Sequence, residues 1–252
     1  IDHRKTFSVC TLVTDQLMYE QMRASFNAKG FEESQCEFIY LDNRIRNQMS
    51  ASDALNLMIS RSSGKYIIAC HQDIRLIDTF DNLISKLEEL DRIDPAWAVA
   101  GNAGGKGYRE TRMHITGGDG KEVCIGTFPE KVDSLDENFL VIRRDTAVGF
   151  AHNNKGFHFY GADICLNASM RGYNCYVIDF HLVHLSGGKL DEEFWAQKLD
   201  FERRYRRFFR TRWLTTTCTP IPLTRSSILG SLLKILDPVG KRIKRFQRKT
   251  NK

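Results

Sequence analysis

The stretch "SASDALNLMISRSSGKYIIACHQD", residues 50–73, sets out a helix, a glycine and a buried strand in direct succession. Ser50 begins an S-x-x-D pattern that caps helices, and the apolar residues that follow it recur on one helical face. Gly64 is placed as the stop of that helix. The next residues, "KYIIAC", are almost continuously apolar, as in a strand covered on both faces, and they lead into the polar residues 71–73. A helix followed at once by such a strand predicts an α/β fold.

The same alternation continues on both sides of this stretch. We predict strands at 6–14, 36–43, 96–103 and 134–144, helices at 15–30 and 79–92, a hairpin turning at 117–120, and a short helix that Asp163 opens and Gly172 closes. Ligands of open parallel sheets bind beyond the carboxyl ends of the strands. Asp42 and Asp73 each end a predicted strand, and both are therefore expected at that edge.

Composition favours one sizeable globular domain with an extension, since 42% of the 252 residues are hydrophobic. The seven cysteines are scattered and form no C-x-x-C pair, which favours reduced packing residues in a cytosolic protein over a zinc site. The sequence contains no run of 18 apolar residues and does not begin with a basic-then-apolar signal pattern. We therefore expect a cytoplasmic protein.

Charge is divided unevenly along the chain. Residues 203–252 contain 15 Lys or Arg and one acid, a net charge of +14, which leaves −8 for residues 1–202 out of a total of +6. An acidic body argues against a domain that coats nucleic acid, because phosphate contacts need Lys and Arg spread over the binding face. We expect a main domain at 1–213 and, at 214–252, a linker followed by a basic amphipathic helix and tail.

Four motifs in order carry a resemblance to a known family. They are "FIYLDN" with Asp42, the stretch at 50–73, "HFYGADICLNASMRGY" at 158–173 and "VHLSGG" at 183–188. In this order and spacing the chain resembles the GT-A fold nucleotide-sugar glycosyltransferases, specifically the family 2-like group, over roughly residues 6–190. The resemblance implies a Rossmann-like α/β/α sandwich with a mostly parallel central sheet.

The resemblance also implies a donor site. Asp42, with Asn43 and Thr14 beside it, matches the place where the family contacts the base or ribose of a nucleotide-diphosphate sugar such as a UDP-sugar. Asp73 matches the last Asp of the D-x-D element, which binds a divalent metal, Mn²⁺ or Mg²⁺, that bridges the diphosphate. His184 matches a histidine that completes the metal site.

Two positions depart from the family pattern. His71 replaces the first Asp of D-x-D, giving H-Q-D, and is expected to contact a phosphate, the ribose or the sugar. Asp163 matches the catalytic Asp that deprotonates the acceptor hydroxyl, while the acid often found before it is Ala162 here. A single carboxylate base suits a one-step inverting transfer.

Each of these residues also has a purely structural interpretation. Asp163 is equally suited to be the N-cap of its helix, Asp73 an exposed loop acid and His184 a partly buried structural histidine. Asp42 and Asn43 fit ordinary turn chemistry. Four further residues in this region are open between two interpretations. Asp136 and Glu137 either contact the sugar or acceptor or are solvent-exposed acids. His158 and Tyr160 either line the acceptor site or belong to the core.

The C-terminal region predicts an interaction surface. "RRYRRFFRTRW" at 203–213 is followed by a Thr/Pro linker at 215–224 and by apolar residues at helical spacing from Ile228 to Phe246, with a kink at Pro238. An amphipathic helix with a basic flank suits an anionic membrane surface. The alternatives are packing on the main domain with a solvated tail, or nucleic-acid binding by the arginine–aromatic segment.

The sequence therefore predicts a metal-assisted, inverting glycosyltransferase. Its acceptor would be a glycan or a lipid-linked glycan of the bacterial surface type, and it would act as a peripheral protein on the cytoplasmic face of the membrane. A catalytically inactive GT-A-like module that recruits partners is the alternative, favoured by H-Q-D and Ala162. A nucleotidyltransferase would need a glycine- and basic-rich triphosphate loop near the first strand, and "TLVTDQLMYE" has none.

Overall fold

The computed structural model describes residues 4–45, 48–152, 154–188, 190–218 and 220–236. The chain divides into two compact units, Ile1–Gln197 and Lys198–Lys252. The predicted boundary at residue 213 stays a prediction.

A seven-stranded sheet organises the first unit. Its order is β2 (Cys36–Asp42), β1 (Lys5–Val13), β3 (Gly64–Cys70), β11 (Phe139–Arg143), β5 (Trp97–Gly101), β12 (Asn174–Val177) and β9 (Glu130–Val132). β11 and β9 run antiparallel to their neighbours, and the remaining strands share one direction. The predicted α/β fold with a mostly parallel central sheet is confirmed.

Both faces of this sheet are covered by core. Along β3, Tyr66 and Ile68 belong to one hydrophobic cluster, while Ile67 and Ala69 belong to the other. Successive side chains of a strand point to opposite faces, so a strand between two apolar layers must be apolar throughout. The nearly continuous apolar run at 65–70 is therefore explained by burial of β3 on both faces of the sheet, which confirms the prediction.

Four helices lie within the first unit, and the first three of them begin at a side-chain cap. They are α1 (Gln16–Ala28), α2 (Ala51–Arg61), α3 (Phe80–Ile93) and α4 (Tyr160–Met170). Ser50 accepts the Asp53 N–H at the start of α2, and Thr79 and Asn82 form a capping box at the start of α3. The prediction that Gly64 stops α2 was wrong, because the C-cap is Ser62 and Gly64 is already the first residue of β3. A Cβ on Gly64 would lie 2.6 Å from the Ser8 nitrogen, so close strand packing explains this glycine.

The first unit also contains a second sheet, which has six strands. Its order is β10 (Ser134–Leu135), β6 (Ala103–Lys106), β7 (Glu110–Gly117), β13 (Leu182–His184) and β4 (Ile74–Leu76), and β8 (Glu122–Ile125) pairs with β7. The β7–β8 pairing confirms the predicted hairpin. The sheet matters for the site because β4 and β13 join residues that are more than one hundred positions apart in sequence.

Tyr205 is the one buried residue among those described in the second unit. α5 (Glu192–Phe209) begins in the first unit and ends in the second, and is followed by β14 (Arg212–Thr215), β15 (Pro220–Leu223) and α6 (Ser227–Leu236). β14 and β15 pair antiparallel, so the prediction of a linker at 215–224 was wrong for this segment. Among the described residues no helix is long and apolar enough to span a bilayer. The predicted kink at Pro238 and the basic end of the tail lie outside the described residues.

Candidate active site

A cavity of about 700 Å³ opens beyond the carboxyl ends of β1 and β3. Its polar lining comes from the segments that follow these strands and from distant loops: Thr14, His71, Gln72, Asp73, Asp136, Glu137, His158, Tyr160, His184, Ser186 and Asp191. Apolar lining is supplied by Leu12, Met18, Ala51, Leu55 and Phe157. A concave site with a small set of convergent polar groups is the usual form of a small-molecule site.

Three potential metal ligands meet in this cavity. His71 Nδ1 lies 3.4 Å from His184 Nε2, His184 Nε2 lies 3.4 Å from Asp73 Oδ1, and His71 Nδ1 lies 3.8 Å from Asp73 Oδ1. These separations suit atoms that share one cation at about 2.1 Å each. The structure thus brings together the two residues predicted to bind metal, Asp73 and His184, and places His71 with them.

Strand pairing explains why His184 reaches Asp73. β13 pairs antiparallel with β4, which sets His184 opposite Ile74, and the Leu185 N–H donates to the Asp73 carbonyl at 3.0 Å. On the other side of the cluster, His71 Nε2 lies 2.8 Å from the Tyr160 hydroxyl. That hydrogen bond occupies Nε2 and leaves Nδ1 of His71 facing the cluster. Histidines that bind metals commonly have such a partner on their other ring nitrogen.

The electrostatics of the cluster favour the protonation states that a cation needs. Burial opposes ionisation of Asp73, but hydrogen bonds with His184 and Ser186 and the neighbouring imidazoles lower its pKa well below the ordinary value. Burial, together with His184, lowers the pKa of His71. An ionised carboxylate beside an uncharged His71 imidazole is ready to bind a metal without first losing a proton.

The donor set therefore fits a divalent metal. One carboxylate oxygen and two imidazole nitrogens are a softer set than the all-oxygen sites of Mg²⁺, and they suit Mn²⁺ or another transition ion better.

Gln72 is a residue of the site that sequence reasoning missed. Its Oε1 accepts the N–H groups of Thr14 and Asp15 at 2.9 and 3.0 Å, and its Nε2 donates to Thr14 Oγ1 at 2.7 Å. The middle residue of H-Q-D thus ties the end of β3 to the end of β1 and fixes Thr14 in the cavity wall. Nothing in the local sequence distinguishes Gln72 from an exposed loop glutamine.

Asp42 and Asn43 lie outside the cavity lining. Asp42 accepts from Arg44 Nε at 2.8 Å, and the hydrogen bonds from Arg44 lower the pKa of Asp42 to about 2. Asn43 is buried and exchanges hydrogen bonds with the backbone of Met49 at 3.2 Å in both directions. Their predicted contact with the nucleotide stays a prediction.

Asp163 is fully buried and does not line the cavity. Its Oδ2 accepts the Ala151 N–H at 2.7 Å and lies 3.2 Å from the Asn167 side-chain nitrogen. The helix begins at Tyr160, with Phe159 as N-cap at φ 63°, so the prediction that Asp163 opens the helix or caps it was wrong. Asp163 instead lies in the first turn, where it holds the segment around Ala151 against α4.

Asp136 and Glu137 line the cavity. Glu137 Oε1 accepts the Gly161 N–H at 3.2 Å, and Asp136 Oδ1 accepts the Asn138 N–H at 2.9 Å. Burial, and then the like charge of Asp136, raise the pKa of Glu137 to about 7. A carboxyl group with this pKa can both take up and release a proton near neutral pH, which is the property of a general base.

Comparison with known proteins gives one relative in sequence and several in structure. No family model matches the sequence. The "ATP synthase subunits region ORF 6" protein of Fuscovulum blasticum is 39% identical over 215 residues, which cover 82% of this chain and 86% of the relative.

The similar structures have the GT-A fold. The catalytic domain of Drosophila beta1,4galactosyltransferase 7, in complex with xylobiose, has a TM-score of 0.50 at 11% identity, with 83% of this chain and 85% of that chain covered. A mannosyltransferase from Pyrobaculum calidifontis, in complex with GDP-Man and Mn²⁺, has a TM-score of 0.53 at 12% identity, with 81% and 65% covered. GalNAc-T7 with UDP, GalNAc and Mn²⁺ has a TM-score of 0.50 at 9% identity, with 71% and 44% covered.

The raised pKa of Glu137 predicts a pH-dependent stability. The folded protein keeps this proton up to about pH 7, whereas the unfolded chain releases it near the ordinary value of 4.5. The stabilising contribution of protonated Glu137 is therefore fully present below about pH 4.5 and is lost as the pH rises through about 7. We expect Glu137→Gln to gain stability relative to wild type as the pH is raised from about 5 to about 8, measured by urea denaturation. Glu88→Gln, at an exposed position of α3, serves as control, and a Glu137→Gln difference that is the same at both pH values would contradict the assignment.

Proposed function

We propose that this chain, which belongs to the same family as the ATP synthase subunits region ORF 6 protein of Fuscovulum blasticum and has the GT-A fold, is a glycosyltransferase. It transfers a sugar from a nucleotide-diphosphate donor to an acceptor hydroxyl. The observation that supports this most directly is the convergence of His71, Asp73 and His184 in a cavity at the carboxyl ends of β1 and β3.

The three converging side chains would hold the metal that the donor requires. A divalent cation bound there supplies Lewis-acid neutralisation of the diphosphate that departs with the nucleoside. Tyr160 holds the His71 ring in place, and Gln72 holds Thr14 in the cavity wall. Apolar side chains such as Leu12 and Leu55 in the same lining give the less polar part of the donor a surface to pack against.

Glu137 is our candidate for the general base. An acceptor hydroxyl can be deprotonated only by a group within hydrogen-bond reach, and Glu137 lines the cavity whereas Asp163 does not. The neighbouring Asp136 favours protonation of Glu137 by its like charge, which keeps the base matched to neutral pH. One base and one donor site suit a single-step, inverting transfer.

Donor binding gives the primary test of this proposal. We expect calorimetric titration of UDP, GDP and CMP to detect binding of one nucleotide with Mn²⁺ present, and no binding with a chelator. Asp73→Ala should abolish the metal-dependent binding because it removes the only carboxylate of the cluster. Asp81→Ala, an exposed acid of α3, should bind like wild type.

The outcomes separate the two functional classes. Metal-dependent binding together with sugar transfer supports the enzyme. Metal-dependent binding without turnover on any acceptor would instead favour the inactive GT-A-like module. Absence of nucleotide binding under every condition would contradict a donor site at this cavity.

Replacing the two candidate bases decides between them. We expect Glu137→Gln to retain nucleotide binding while turnover falls by roughly 10²–10⁴-fold, the usual contribution of a general base. Asp163→Asn should chiefly lower the urea midpoint, because Asp163 accepts hydrogen bonds inside the fold. Loss of turnover in a well-folded Asp163→Asn variant, with Glu137→Gln active, would return the role to Asp163.

The second unit has an apolar surface suited to contact a membrane. A lipid-linked acceptor would lie in that membrane. α6 exposes Ile228, Leu232 and Ile235, of which Ile228 is 74% and Ile235 63% exposed. Their spacing of four and three residues places them on one helical face. The net charge of +14 over residues 203–252 complements anionic lipid headgroups, and we therefore propose peripheral attachment to the cytoplasmic leaflet.

Liposome sedimentation tests this attachment. We expect binding to vesicles that contain anionic lipid, weakened by added salt, because surface charges are screened over about 8–10 Å at physiological ionic strength. The double variant Leu232→Ser, Ile235→Ser should bind several-fold more weakly, whereas Ser231→Ala on the same helix should not. Equal binding of the double variant and wild type would show that α6 does not contact the bilayer.

A further inference from the structure

His158 is an imidazole of the cavity that belongs neither to the metal cluster nor to the pair of acids that includes the candidate base. It is half-buried and lines the cavity together with Phe157 and Tyr160. Within the described ranges neither ring nitrogen of His158 has a hydrogen-bond partner, whereas the rings of His71 and His184 both have one. Every imidazole carries at least one N–H donor, so His158 keeps a donor for a molecule bound in the cavity.

Aromatic packing fixes the ring of His158. Phe194 of α5 packs against this ring nearly at right angles, with the centroids 5.3 Å apart, and also contacts the Phe159 ring at 4.9 Å. The N–H of Phe194 donates to Asp191 Oδ1 at 3.0 Å, which holds this residue at the start of α5. A side chain that is already fixed loses little conformational entropy when a ligand binds to it.

One side chain of α5 holds the backbone of the same segment. Gln197 Oε1 accepts the N–H groups of Phe157 and His158 at 3.0 and 2.9 Å, and Gln197 Nε2 donates to Glu193 Oε1 at 2.8 Å. Gly156 allows this close approach, because a Cβ at that position would lie 2.2 Å from Gln197 Nε2. Gln197 itself does not line the cavity. It therefore acts on the cavity wall only from behind.

His158 also lies near the metal cluster. Beyond burial and the charge of His184, the charge of His158 contributes to lowering the pKa of His71, which shows that the two rings are close. His158 is not one of the three residues whose ligand atoms converge. A nucleoside diphosphate bound beside the cluster carries charged phosphate oxygens, and hydrogen bonds to charged acceptors are the stronger ones. The free N–H of His158 is suited to such an oxygen.

We propose that His158 donates a hydrogen bond to the diphosphate of the nucleotide donor, and that Gln197 is the positioning residue that holds His158 for this contact. The inference rests on the donor site of the proposed function. His158 would contact the ligand directly, whereas Gln197 would act only through the backbone of the wall. Affinity for the nucleotide would thus depend on a residue outside the cavity.

Calorimetric titration of the full chain with UDP, GDP and CDP, in the presence of Mn²⁺, tests the contact. For the nucleotide that wild type binds, we expect His158→Phe to bind about 10- to 100-fold more weakly, the usual effect of losing one hydrogen bond to a charged group. Phenylalanine keeps an aromatic ring against Phe194 but has no N–H. His152→Phe is the matched control, because His152 is exposed and lies outside the cavity lining, and it should bind like wild type.

The role of Gln197 is tested by removing and then restoring its acceptor oxygen. Gln197→Leu should weaken nucleotide binding several-fold, because the oxygen that accepts both N–H groups is lost. The exchanged pair Glu193→Gln with Gln197→Glu keeps an acceptor at 197 without placing two carboxylates together, and it should bind nearly as well as wild type. Added to His158→Phe, Gln197→Leu should have no further effect, because Gln197 acts through His158. Circular dichroism and melting temperature check the fold of each variant.

The outcomes distinguish this inference from the proposed function. Absence of metal-dependent nucleotide binding by wild type would contradict the donor site and, with it, the contact from His158. Wild-type affinity in a folded His158→Phe protein would overturn the contact and leave the donor site standing. If Gln197→Leu weakens binding equally with and without the His158 imidazole, Gln197 is not a positioning residue for it.

Discussion

The pairing of β13 with β4 is the constraint on which the candidate active site depends. Asp73 and His71 follow β3, whereas His184 ends β13, and the antiparallel register sets His184 opposite Ile74. The hydrogen bond from the Leu185 N–H to the Asp73 carbonyl locks that register beside the cluster. A shift of one residue would turn the His184 side chain to the other face of the sheet and separate the three ligand atoms.

The cavity holds two kinds of carboxylate whose environments act in opposite directions. Asp73 is buried beside imidazoles and a hydroxyl that stabilise its charge, so its pKa is lowered. Glu137 is half-buried beside the exposed Asp136, and its partial removal from water together with the like charge of Asp136 raises its pKa to about 7. In the function we propose, this separation divides the roles, because the first group stays ionised to hold a cation while the second exchanges a proton. Burial opposes ionisation of both groups, and the neighbours decide the outcome: imidazoles and a hydroxyl outweigh burial at Asp73, whereas the like charge of Asp136 adds to it at Glu137.

Two buried polar residues in the same region make hydrogen bonds within the fold. Asp163 accepts the Ala151 N–H and so joins that segment to α4, and Asn43 exchanges hydrogen bonds with the backbone of Met49. A buried carboxylate needs hydrogen-bond donors to compensate for lost hydration, which Asp163 finds in backbone and side-chain groups.

The sequence by itself determined the α/β architecture, the helix cap at Ser50, the buried character of β3, and the meeting of Asp73 with His184. The first three follow from short-range periodicity and capping, which local residues decide. The last is implied by the order of the motifs that resemble those of the GT-A glycosyltransferases. Only the tertiary structure decided that His71 lies beside Asp73 and His184, that Gln72 fixes Thr14, and that Glu137 rather than Asp163 faces the cavity. Each of these depends on distances between segments far apart in the chain, and on burial, neither of which leaves a period or spacing in the sequence.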